Sequence, residues 1–469
     1  MIAGRKSLVA LALSATVAGS VAASVSVPAA TASPSCPDLY VLGVQGTGQS
    51  SVGASPTTDS GMIGDLMRPL MQMAGSLVAR AYVPYPASFG GATAGGGTPY
   101  SQSVTQALGS LTSMVDQVAH SCSGTQFALA GYSQGAHAAS MLAQQIGAGK
   151  GPIPASRVAA VALFGDPERP QDAPLFPGAP EQTAPQPAPG TSGASLEQVP
   201  PPQGVSASGG GIGPTHDSDI GYGDLSGRVA DFCTQGDLVC SAPTGSPIVH
   251  LVTNIAGQSE VNQQDPVGTL ASIGQALALT SVKTVVPVIN NDVQGQSLDT
   301  LQYMPQESIS QRLADASDPR SPLPSIDDAF NAILKIGTIA FNAVTSVVKN
   351  VVTPENISEI ATAGLTNPIA GLAVFGQKLV GAVVDLVPPA TANAWVNEAF
   401  DAVKQNVTDN ADMLNIAQDM QYFNTAAAHG SYASTAQTAT GSSAVQYAAQ
   451  WFSAIAHDLA GQSVSPTDQ

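Results

Sequence analysis

The sequence predicts an α/β fold: a central parallel sheet with helices on both faces, three layers in all, carrying an inserted all-helical block. Three observations predict it. Strand-like and helix-like segments alternate from Cys36 to about Phe164, the pattern of parallel strands joined by helical crossovers. An apolar strand runs straight into Gly131-Tyr132-Ser133-Gln134-Gly135, and a helix-forming stretch from Ala136 to Ile146 follows. Residues 265–424 read as helices alone.

Each element has its reason. Leu39 to Val44 is a short apolar run of the kind a sheet buries on both faces. Asp65 to Val78 forms a helix and Ala79 to Tyr85 a second strand. Ser101 to His120 repeats apolar residues at helical spacing through Val104, Leu108, Leu111 and Val115. Gln126 to Tyr132 and Val158 to Phe164 supply the third and fourth strands, and Arg228 to Phe232 resumes the pattern. Between them, residues 167–222 form an insertion. Its Pro167–Pro202 stretch holds eleven prolines and reads as a low-complexity loop of extended or disordered backbone.

In the helical block, Asp265-Pro266 suits an N-cap and first position. Ser325 followed by Asp328 resembles a capping box opening a helix that ends before Pro354. Asn367-Pro368 opens another that ends at Pro388, and Thr391 to Val407 and Ala411 to Asn424 continue the pattern. Lys335, Lys349, Lys378 and Asp385 interrupt the apolar runs, which argues for packed helices and against membrane spans. Residues 425–469 return to a loop and an amphipathic helix from Ser443 to Leu459.

The N-terminus reads as a secretory leader, residues 1–32: basic Arg5 and Lys6, an apolar stretch from Leu8 to Val21, and a small-x-small site at Ala30-Thr31-Ala32. The run is short and rich in Ala, Ser and Gly, which argues against a retained anchor. The formal charge is −18, and losing Arg5 and Lys6 with the leader leaves −20. Such a surface does not attract nucleic acid or anionic headgroups by charge. Four cysteines allow three pairings. Cys233 with Cys240 closes a small local loop, leaving Cys36 with Cys122. No Cys/His cluster argues for zinc.

The chemistry centres on Ser133. Gly-x-Ser-x-Gly between strand and helix is the pattern of a nucleophile elbow, which lifts a hydroxyl clear of the sheet. The backbone N–H of Gln134 then opens the helix facing a developing oxyanion. A serine nucleophile needs a base, and the base an orienting acid. Asp237 follows the strand at Arg228 to Phe232, inside the loop that a Cys233–Cys240 bridge would pin. Asp166, before Pro167, is a rival that more often caps such a turn. His137, His120, His457 and His216 read as structural. His216 with Asp217 and Asp219 forms a polar turn, and ligands so close in sequence need a second source to complete a cation site.

With these residues in hand, the chain resembles the cutinase family of serine esterases, an α/β-hydrolase fold. The likeness lies in Cys36-Pro-Asp-Leu-Tyr-Val, Gly46-Thr47-Gly48, Tyr85-Pro86-Ala87, Tyr100-Ser-Gln-Ser103, Cys122, Gly131-Tyr-Ser-Gln-Gly135, Leu163-Phe-Gly-Asp-Pro167 and Cys233…Gly236-Asp237…Cys240. It spans about Cys36 to Cys240 plus a tail segment. The resemblance implies Ser133 as nucleophile, Asp237 as acid, Thr47 and Gln134 as oxyanion donors, and disulfides Cys36–Cys122 and Cys233–Cys240. The histidine departs from the family's short spacing. His250 keeps that spacing but lies in an apolar helical run. His429 keeps the family's His-x-x-Tyr through Tyr432, and it requires residues 265–424 to be an insertion between acid and base, which chain entropy tolerates. His429 is the favoured base.

The expectation is a cutinase-like catalytic domain over residues 33–264, closed by residues 425–469. It is a monomeric, secreted or envelope-associated serine carboxylesterase acting on hydrophobic esters or lipids, with no cofactor, metal or nucleic-acid partner. Its rivals are an acyltransferase on envelope glycolipids and a non-catalytic lipid-binding protein.

Overall fold

The computed structural model describes residues 36–338 apart from 92–95, 203–206, 218–220, 244–246, 261–265 and 296–301, isolated positions between 355 and 409, and residues 425–461. The leader lies outside the described residues. So, but for isolated positions, do the helices expected beyond Asn367.

Five parallel strands build the sheet: β1 Leu39–Val44, β2 Val78–Tyr82, β3 Gln126–Tyr132, β4 Val158–Phe164 and β5 Val229–Phe232, in spatial order β2-β1-β3-β4-β5. The central strands are apolar along their whole length because both faces are covered; every residue of β4 is buried. On one face, helix α1 (Gly61–Ala74) and a terminal helix (Ala444–Leu459) pack together over Leu39, Val41, Ala128 and Ala130. On the other, α2 (Tyr100–Ser121) and α3 (Gln134–Gly147) cover Leu42, Val44, Phe127 and Leu129.

The terminal helix opens with a capping box. The Ser443 side chain accepts from the N–H of Gln446, and the Gln446 side chain accepts from the N–H of Ser443. The helix buries Val445, Trp451, Phe452 and Ile455 almost completely, each contributing about 1.5–3 kcal/mol by leaving water. It is therefore part of the sheet's own sandwich.

The chain leaves β1 toward one edge and β3 toward the other, so the carboxyl ends of these two strands flank a topological switch point, where such sheets hold ligands. Ser133 directly follows β3, and Thr47 follows β1.

The proline-rich loop departs from the expectation of loose backbone. Phe176, Ala188 and Leu196 are buried against the same core as the terminal helix. The guanidinium of buried Arg169 donates to the carbonyls of Ala173, Ala207, Gly209 and Cys240. Asp458 accepts from the N–H groups of Ser195 and Leu196. Proline reduces the backbone entropy lost on ordering, so a few apolar anchors suffice to pack the segment.

Beyond the sheet, α4 (Pro247–Gln258), α5 (Pro266–Pro287) and α6 (Ile309–Ser317) pack on one another, and α4 also meets α2. Helix α7 (Ile326–Thr338) begins with the Ser325–Asp328 reciprocal cap read from the sequence. One departure is a two-stranded antiparallel pair, Val293–Gln294 with Gln302–Tyr303, inside the stretch expected to be wholly helical. Among the described residues, no helix is long and apolar enough to cross a membrane.

Candidate active site

The backbone at Ser133 has φ +54° and ψ −124°, a conformation that L-residues rarely hold. The neighbouring glycines make room for it. A Cβ on Gly135 would lie 2.2 Å from the carbonyl oxygen of Val44, and one on Gly131 would lie 2.6 Å from that of Gly135. The Ser133 N–H is held by the carbonyl of Phe164, and the hydroxyl stands half-buried at the N-terminus of α3. This is the strand-to-helix elbow that the Gly-x-Ser-x-Gly pattern predicts.

His429 closes a short helix, Thr425–His429. Its Nε2 lies 2.8 Å from Ser133 Oγ, and its Nδ1 lies 2.8 Å from Asp237 Oδ2. Asp237 is fully buried. Its Oδ2 also accepts from the Tyr432 hydroxyl at 2.6 Å, and its Oδ1 accepts from the N–H of Val239 at 3.0 Å. Its loop is closed by the Cys233–Cys240 disulfide, with Cα atoms 5.8 Å apart. Cys36 and Cys122 are disulfide-bonded too, and no described cysteine is free.

Two aromatic residues fix the imidazole. The Tyr132 ring stacks on it at 5.1 Å, and the Tyr132 hydroxyl donates to the His429 carbonyl at 3.0 Å. Burial first, and then the Asp237 charge, push the Tyr132 hydroxyl up to about 12, so it stays a donor. The same two causes, in that order, hold the Tyr432 hydroxyl far above its ordinary value. Gly165 lies close against the ring at Cε1 and Nδ1. It has φ +60°, and a Cβ there would sit 2.9 Å from His429 Cε1 and 3.0 Å from Asp237 Oδ2.

Of the two candidate histidines, the structure thus brings His429 to Ser133. His250 is enclosed on α4, where burial pushes its imidazole down. Asp166 accepts from the N–H of Glu168, a turn-capping contact, and not from His429. Thr47 borders the same cavity as Ser133. The Gln134 side chain is engaged elsewhere: its amide accepts from Ser103 Oγ and donates to the Ser88 carbonyl, which leaves its backbone N–H at the head of α3 as the group turned to the serine. Gly165 and Tyr132 were not singled out for the site from sequence. A glycine just past a buried strand in Leu163-Phe-Gly-Asp-Pro167 is the one signal that pointed there.

A cavity of about 240 Å³ opens beside Ser133, lined by Thr47, Phe89, Tyr100, Ile212, Val239 and Thr253 among others. Its lining is mainly apolar, and α4 supplies one wall through Thr253, Asn254 and Gly257.

Sheet order and elbow together give the layout of an α/β-hydrolase fold, with Ser133 at the turn from β3 to α3. Residues 35–262 match the family model described as Cutinase. A Corynebacterium glutamicum protein described as a carboxylesterase Culp6 homolog is 28% identical over 218 residues, 44% of this chain; the chain spans 66% of that relative's length. Among solved structures, the catalytic core domain of acetyl xylan esterase from Trichoderma reesei is 20% identical, covering 51% of this chain and 98% of that one, with a TM-score of 0.29. A cutinase-like protein from Cryptococcus sp. is 17% identical over 44% of this chain and 80% of its own, with a TM-score of 0.28.

Proposed function

We propose that the protein is an exported serine carboxylesterase that cleaves hydrophobic esters through an acyl-enzyme. The observation that carries this reading is the unbroken run of hydrogen bonds from Ser133 Oγ through His429 to Asp237 Oδ2, each step 2.8 Å. His429 Nε2 takes the serine proton as Oγ attacks the ester carbonyl, and then delivers it to the departing alcohol. Asp237 keeps the Nδ1 proton in place and steadies the imidazolium. The backbone N–H of Gln134 and Thr47 receive the oxyanion. Water, activated by the same imidazole, releases the acid.

The apolar lining of the cavity supports a hydrophobic acyl or alcohol group, since it offers few polar partners to a sugar or a charged group. The disulfides support export to an oxidising compartment. The test is hydrolysis of a p-nitrophenyl ester series from acetate to palmitate by wild type and Ser133→Ala. The expected result is a burst of p-nitrophenol from the wild type and none from the variant. Absence of hydrolysis at every chain length from folded wild-type protein overturns the reading.

A further inference from the structure

Four residues along α3 from Ser133, His137 is buried with two carboxylates that reach it from separate loops. Its Nε2 lies 2.9 Å from Asp217 Oδ2 and 3.1 Å from Glu168 Oε1. These three atoms all lie within 4.8 Å of one another. The side chains of His137, Glu168 and Asp217 are each at most 2% exposed.

One imidazole nitrogen carries at most one proton, and that proton serves Asp217. Glu168 Oε1 is left without a hydrogen-bond donor although it is buried and turned toward the same point. A buried carboxylate oxygen in that condition is costly. Arg320 pairs with the other oxygen of Asp217, Oδ1, and so leaves Oδ2 to the cluster.

We propose that His137 Nε2, Glu168 Oε1 and Asp217 Oδ2 bind one divalent cation, with Zn²⁺ the ion that this set of one imidazole and two carboxylates suits. Tetrahedral Zn²⁺ with bonds of about 2.0–2.1 Å places its ligand atoms roughly 3.3–3.4 Å apart, so the two carboxylate oxygens, at 2.9 and 3.1 Å from Nε2, need only spread by a few tenths of an ångström to receive it. A water completes the fourth position. The outer nitrogen is already prepared: His137 Nδ1 lies 3.0 Å from the Tyr100 hydroxyl. A proton on Nδ1 donated to that hydroxyl leaves the Nε2 lone pair for the metal, the outer-shell arrangement that ligating histidines adopt. The polar turn at His216 and Asp217 thereby acquires the second source of ligands that it lacks on its own.

The ion ties together α3, the loop after β4 and the turn Thr215–Asp217. These segments stand behind the cavity wall, which Tyr100, Pro167 and Pro214 line. Its work is structural: it fixes the wall and takes no part in the ester chemistry.

The experiment uses the full-length protein without a histidine tag, stripped by chelator and equilibrated by dialysis against micromolar Zn²⁺. Elemental analysis is expected to find close to one Zn²⁺ per chain in the wild type, with binding at least tenfold weaker in Glu168→Gln. Equal retention by the two proteins, or no retention by the wild type, overturns the proposal. Zinc-edge X-ray absorption on the wild type alone guards against a variant that fails to fold. A shell of one imidazole nitrogen with oxygens at about 2.0–2.1 Å supports the site, whereas a shell without imidazole, or one containing sulfur, refutes it. Neither readout depends on esterase activity.

Discussion

Replacing Gly165 by alanine adds one methyl group and removes no functional atom, yet it should impair the enzyme. The new Cβ would lie 2.9 Å from His429 Cε1, where ordinary contact begins at 3.4 Å. The ring must therefore retreat from Gly165 by about half an ångström, and Asp237 Oδ2, 3.0 Å from the same Cβ, must shift too, which disturbs the alignment with Ser133. Because a misplacement of about 1 Å costs on the order of a hundredfold in rate, half of that should lower kcat roughly tenfold. The positive φ adds a separate stability cost of about 1–2 kcal/mol. Gly149 separates the two effects. It has φ +71° with nothing within 4 Å of its Cβ position, so Gly149→Ala should lose similar stability and keep its kcat. The assay is steady-state hydrolysis of a p-nitrophenyl ester beside urea unfolding of both variants. Full kcat in Gly165→Ala, or an equal loss in Gly149→Ala, would refute the steric reasoning.

Three further outcomes are expected. His429→Ala should lower kcat by a factor on the order of 10⁶, as removal of the base does in serine hydrolases, while His250→Ala should change it less than about threefold; the same ester assay reads both, with circular dichroism to check folding. Tyr432→Phe withdraws a donor from Asp237 Oδ2; stability should fall by about 1.5–3 kcal/mol and kcat roughly tenfold at constant KM, seen by urea titration and saturation kinetics. Asp59 takes Arg80 in a two-pronged ion pair and the Tyr82 hydroxyl besides, and the hydrogen bond from Arg80, more than any other contact, holds its carboxyl below the ordinary 3.8. A depressed carboxyl contributes its full stability above 3.8 and loses it as the pH falls through the lower folded value. Asp59→Asn should thus be less stable than wild type at pH 7 by about 1–3 kcal/mol, and the gap should narrow as the pH falls below 3.8.

The parts of this molecule that could be read from sequence are those where one-dimensional pattern and three-dimensional role coincide. Strands β3 and β4 match their expected limits because a strand buried on both faces is an uninterrupted apolar run. His429 was reachable because Tyr432 and the terminal helix travel with it, and the histidine's distance from Asp237 along the chain is irrelevant once the helix packs on α1. Helix α1 starts at Gly61 instead of Asp65, with Ser60 as an N-cap whose side chain makes no capping hydrogen bond. The proline-rich loop misled for a different reason: its composition is that of an unfolded linker, and its order depends on Arg169 and Asp458 meeting carbonyls and N–H groups far away in sequence. The contact of Gly165 with the imidazole and the grouping of His137, Glu168 and Asp217 were beyond reach, even though the glycine itself stood out after β4. Each depends on segments that approach only after the sheet has formed, and no local spacing encodes that approach.

The His429 imidazole comes 296 residues after Ser133 and 192 after Asp237. A growing chain therefore carries its hydroxyl and carboxylate long before it has anything to deprotonate the one against the other. Until the stretch around His429 and the helix behind it emerge and dock, an unfinished or clipped polypeptide has no imidazole beside the Ser133 hydroxyl.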